Sequence, residues 1–180
     1  MRNMNFRRGL ALLGAAVAAV GVLAVAQPVN AEPKGSSSPN AAGSAAAPAA
    51  VVVAGRGAAA DKTTAREGGV SLLHLDGACN QYSDGTGDLC LWWFQNYTGS
   101  RADFYFADSN LNDNVFITAG SGQGSPVGNL SESDWNYDLI YGARVCTGIN
   151  GAGTCGTVPP GSGGNFNSTY RNNVESFTWV

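Results

Sequence analysis

Apolar and polar positions alternate in short steps along this chain, and only in its second half. In 101–107, Ala102, Phe104 and Phe106 fall on one face and Asp103 and Tyr105 on the other, the period-2 pattern of a half-buried strand. In 139–146, Leu139, Tyr141, Ala143 and Val145 share a face in the same way. Runs rich in aromatic and β-branched residues at 88–94, 114–118, 154–158 and 174–180 are separated by clusters of Gly, Asn, Asp and Ser, which read as turns. No segment after Ala78 carries a capped 3.6-residue apolar period. The pattern predicts an all-β domain over 78–180.

The first third follows different rules. Arg2, Arg7 and Arg8 precede an uncharged apolar run at 9–26, the charged-then-apolar order of a secretory signal. Cleavage is expected after Ala26 or Ala31, which makes 1–31 a signal peptide. Residues 32–77 are Ala, Gly, Ser and Pro with scattered charges. They bury too little to offset the entropy of ordering and read as a disordered linker or a pro-segment. A first short strand at 70–75, or simply the approach to the domain, follows.

All four cysteines, all four tryptophans and all six tyrosines lie after residue 78, so the core must form there. Four cysteines in an exported chain suggest two disulfides with three possible pairings. Cys79–Cys90 and Cys146–Cys155 each close a short loop within one half of the domain and are the favoured pairing. Paired C-x₂₋₄-C spacing for a zinc site is absent. The domain carries three arginines, no lysine and nine acids, a net charge of −6. That field disfavours nucleic acid and anionic membrane surfaces.

The two halves resemble one another. Asn129-Leu-Ser-Glu132-Ser133 recurs as Asn172-Asn-Val-Glu175-Ser176, each close before a tryptophan, Trp135 or Trp179. Trp92, Tyr97 and Gly99 share their spacing with Cys146, Gly151 and Gly153. Gly99 to Ser133 is 34 positions and Gly153 to Ser176 only 23, which places an insertion around 108–126. The Trp92, Tyr97, Gly99 spacing resembles the βγ-crystallin Greek-key signature. With the cysteines and the closing 172–179 segment, the last hundred residues look like peptidase inhibitor family I36. The resemblance implies a βγ-crystallin-like sandwich of two Greek-key motifs. It also implies a secreted bacterial protein that binds an extracellular peptidase, with metalloproteases the associated targets; a monomer is expected.

Catalytic chemistry finds little support. The single histidine, His74, stands at the edge of the linker, outside the recognisable domain. A Ser-His-Asp triad or an H-E-x-x-H zinc site cannot be assembled around it there. Asp134 and Asp138 are conceivable acid/base partners, although acids in such turns are commonly solvated loop residues. No enzyme and no cofactor is expected. Calcium is the alternative, because Asn172, Asn173 and Ser176 follow the βγ-crystallin calcium motif up to its last position. In the first half, Leu130 replaces the second ligand. Calcium takes six to eight oxygens, so such losses weaken a site. Exposed loops at 120–127 and 158–164 are the candidate inhibitory surfaces.

Overall fold

The computed structural model of the protein describes residues 38–41, 46–54 and 75–180. The apolar run, both cleavage positions, His74 and most of the region read as linker lie outside these residues. Among those described, the regular structure is strand with single turns of 3₁₀ helix. The strands are β1 (Val51–Val53), β2 (Asn80–Tyr82), β3 (Leu89–Phe94), β4 (Thr98–Phe104), β5 (Ser133–Asn136), β6 (Ala143–Cys146), β7 (Cys155–Val158), β8 (Gly163–Asn165) and β9 (Ser176–Trp179).

Two antiparallel sheets form the domain. One runs β4-β3-β5-β8 and the other β7-β6-β9. An isolated bridge between Asp108 and Phe177 adds a fourth position to the second sheet. Each sheet thus takes the first, second and fourth extended segments of one half and the third of the other, β8 in one case and Asp108 in the other. This exchange ties two Greek keys into one βγ-crystallin-like sandwich, as the sequence leads one to expect. The extra length of the first half falls between Asp108 and Ser133.

The alternation of the strands explains the core. Leu89, Leu91, Ala102 and Phe104 of the first sheet face Ala143, Val145, Val158 and Phe177 of the second, and all are buried. Each such larger side chain contributes roughly 1.5–3 kcal/mol relative to exposure. Phe104 and Phe177 meet edge-on at 5.7 Å between ring centroids. Trp179 Nε1 donates to the Tyr105 carbonyl at 3.0 Å. Disulfides join Cys79 to Cys90 and Cys146 to Cys155, one within each half.

Several expected elements differ. The strand read at 139–146 begins only at Ala143, because the Asp138 carboxylate accepts the Ile140 and Tyr141 N–H groups, both at 2.7 Å, and turns the chain. Leu139 and Ile140 are left about half exposed. Segment 114–118 forms no strand. Val115 makes one bridge to Pro126, and the Ile117 and Thr118 N–H groups both donate to the Arg101 carbonyl. The polar face of 101–107 is also buried, because the turn at 75–77 folds over it and Asp103 accepts the Asp76 and Gly77 N–H groups at 2.8 and 2.9 Å.

Two stretches of the region read as linker lie along the domain. Asn40 bridges to Phe166 beyond the β8 edge, with Ala41 N–H donating to the Asn165 carbonyl at 2.7 Å. β1 pairs in parallel with β2, and the Pro48 carbonyl accepts from the Tyr137 hydroxyl at 3.0 Å.

Candidate functional site

Trp92, Tyr97 and Gly99 mark a hairpin that folds back on its own sheet. Asn96 and Tyr97 sit at φ 57° and 60°, and Gly99 at 79°. The second half repeats the conformation, with Asn150, Gly151 and Gly153 at 57°, 73° and 78°. Glycine takes the last position of each fold without the penalty a Cβ would bring. A buried serine latches each fold. Ser133 Oγ donates to the Phe94 carbonyl at 2.7 Å and accepts the Tyr97 N–H at 3.2 Å. Ser176 Oγ donates to the Gly148 carbonyl at 2.6 Å and accepts the Gly151 N–H at 3.0 Å. Repetition of Glu-Ser in the sequence was the available signal for this role.

The aromatic residues close the first fold and are missing from the second. Trp92 meets Tyr97 edge-on at 5.2 Å, and Tyr97 meets Trp135 at 5.9 Å. Such pairs contribute ~0.5–1.5 kcal/mol beyond their buried area.

Asn172, Asn173 and Ser176 each turn to a different partner. The Ser176 hydroxyl belongs to its latch, and Asn173 Nδ2 donates to the Thr169 carbonyl at 2.8 Å. Asn172 instead reaches across to the other half, where its Nδ2 donates to Glu132 Oε1 at 3.2 Å. Asn129 makes the reciprocal contact, donating to Glu175 Oε1 at 2.5 Å. Backbone bonds repeat the symmetry, Asn129 N–H to Val174 and Asn172 N–H to Ser131, both 2.9 Å. Glu132 and Glu175, passed over as ligands in the sequence, are therefore the carboxylates facing this loop pair. Among the described residues no group of three or more His, Cys, Asp or Glu is placed to hold a metal ion.

The two acids considered as a catalytic pair have separate structural roles, and both are buried. Asp138 caps the turn before β6 and accepts the Gly87 N–H at 3.1 Å. Asp134 points into the sandwich at the position that Phe177 occupies in the second half. Asn40 Nδ2 donates to its Oδ1, and its Oδ2 has no partner among the described residues. Burial pushes the Asp134 carboxyl up to about 8. Burial likewise raises Asp103 to about 7, partly offset by the N–H groups of Asp76 and Gly77. A carboxylate leaving water for an apolar interior favours its neutral form.

The two candidate loops differ in how they are held. In 120–127 the base is fixed by Ser100 N–H to the Ser121 carbonyl at 2.8 Å, Gly124 N–H to Phe116 at 2.8 Å and Val127 N–H to Asn114 at 2.9 Å. Gly122 lies flat on Trp93, where an added Cβ would come within 2.2 Å of the indole. Gly120, Ser121, Gln123, Gly124 and Pro126 are exposed. In 158–164, Gly161 N–H donates to the Asp138 carbonyl and Ser162 Oγ to Pro159, both at 2.8 Å. Pro159, Pro160 and Gly161 are its exposed residues.

No family model matches the chain, and no characterised protein matches it in sequence. A solved structure described as "Evolution of the eye lens beta-gamma-crystallin domain fold" is similar to it over 53% of this chain and 87% of that one, at 12% identity and a TM-score of 0.44.

Proposed function

We propose that the protein is secreted and inhibits an extracellular peptidase, with a metalloprotease as its target, by binding without catalysis. The observation that carries this reading is the 120–127 loop, exposed at its tip and held at its base by backbone hydrogen bonds and by the Trp93 face. A loop already ordered loses little further entropy when it enters a cleft. The sandwich behind it, closed by two disulfides, gives a rigid support. Titration of the protein against a thermolysin-type and a subtilisin-type enzyme tests the reading. Loss of thermolysin-type activity is expected. Full activity of both enzymes at micromolar excess would refute it.

A second reading is a calcium-binding or cell-envelope structural module. The reciprocal Asn129–Glu175 and Asn172–Glu132 contacts favour it, since they place two carboxylates on one loop pair. Glu132 and Glu175 would then hold the ion with Asn129 and Asn172. A rise in melting temperature with calcium, reversed by chelator and lost in Glu132→Gln, separates this reading from the first.

A further inference from the structure

The two halves differ at one corner. Aligning Ser133 with Ser176 places Trp92 on Cys146, Tyr97 on Gly151 and Trp135 on Thr178, with the strand registers in agreement. In the first half these three aromatic rings pack edge-on over the outer face of the sheet. In the second half their places are taken by a disulfide sulfur, a hydrogen and a threonine. A cavity of about 400 Å³ occupies the space, lined among others by Arg144, Cys146, Asn150, Gly151 and Thr178. That size lies within the range of small-molecule sites.

Three polar side chains in it are available. Arg144 is exposed, and its guanidinium, like the side chains of Asn150 and Thr178, makes no hydrogen bond or ion pair among the described residues. By contrast, Arg101 is tied to the Gly77 carbonyl. Asp108, the other charge in the cavity, accepts the Asn110 N–H at 2.8 Å and Asn114 Nδ2 at 2.7 Å, so its oxygens are engaged within their own loop. A guanidinium binds a carboxylate through two parallel N–H bonds.

We infer that this cavity binds an aromatic acid, its ring in the space of the missing aromatic corner and its carboxylate on Arg144. The site is separate from the 120–127 loop, and its test does not depend on peptidase inhibition.

The test is an NMR titration of isotope-labelled protein with N-acetyl-tyrosine and with its neutral amide. Shifts are expected at Arg144, Asn150, Gly151 and Thr178, with the amide binding about tenfold more weakly or worse, as loss of a charge-assisted pair implies. Arg144→Met, a surface change that leaves the core intact, is expected to weaken the acid by the same factor. Thr178→Trp restores the ring of the first half and is expected to block binding. An absence of shifts at millimolar acid, equal binding of acid and amide, or undiminished binding by Arg144→Met would each overturn the assignment.

Discussion

Asp134 shows how one residue sets a pH dependence. Its carboxyl is raised to about 8 in the folded protein by burial, against roughly 3.9 in an unfolded chain. The folded state therefore holds a proton that the unfolded state releases above pH ~4, so stability from this group falls as pH rises from there to about 8 and then levels off. Asp103, raised to about 7, acts in the same direction. Asp134→Asn keeps the shape of the neutral acid. Thermal melts from acid to mildly alkaline pH are expected to show a flatter profile for the variant and a higher melting temperature above neutrality. Equal slopes would contradict the account. The serine latches are a second test at this scale. Ser133→Ala leaves the Phe94 carbonyl and Tyr97 N–H without their side-chain partner, and Ser176→Ala does the same to Gly148 and Gly151. Denaturant unfolding is expected to show a loss of ~1–3 kcal/mol for each. The latches were legible as a repeat in the sequence. Their bonding was not, because a hydroxyl's partners across a fold leave no local mark.

At the scale of elements, strands with one apolar face were readable and strands with polar core positions were not. Leu89, Leu91, Ala102 and Phe104 advertised β3 and β4. β5, Ser133-Asp134-Trp135-Asn136, turns Asp134 and Asn136 inward, and Asn136 satisfies itself on the Tyr141 carbonyl at 2.8 Å. Its binary pattern is therefore inverted, and it reads as a loop. β8, largely glycine, has no side-chain pattern to read. Segment 114–118 misled in the opposite direction, since Phe116 packs in the core while the backbone around it serves a loop. The disulfides differ in their surroundings as well. Cys79 and Cys90 are buried beside Trp92 and Tyr137, whereas Cys155 is partly exposed. Because thiol exchange needs access, Cys146–Cys155 is expected to be reduced first under mild conditions, as differential alkylation and mass analysis would show. Loss of either bridge costs about 3 kcal/mol on the chain-entropy model. Simultaneous reduction of both would show that the first half is more open than the structure has it.

The whole molecule is less symmetric than its repeat. The first half has its aromatic corner and is further covered by the amino-terminal stretch, where Ala50 packs on the Cys79, Cys90, Trp92 and Tyr137 cluster and Val53 on Tyr82, Tyr105 and Phe106. A composition of small residues gave no sign of this contact, because the hydrogen bonds of 48–53 are made by its backbone rather than its side chains. Removal of residues up to 54 is expected to lower the melting temperature and to increase quenching of tryptophan fluorescence at Trp135. An unchanged melt would mean that the stretch adds nothing to the domain. The proposed function depends on the 120–127 loop. The most direct test is a titration of a thermolysin-type peptidase with the protein and with a Gln123→Arg, Pro126→Arg double variant that alters only exposed positions. The account predicts stoichiometric inhibition by the protein and a loss of potency of at least tenfold in the variant, with its melting temperature unchanged. Equal inhibition by both, or none by either, would contradict it.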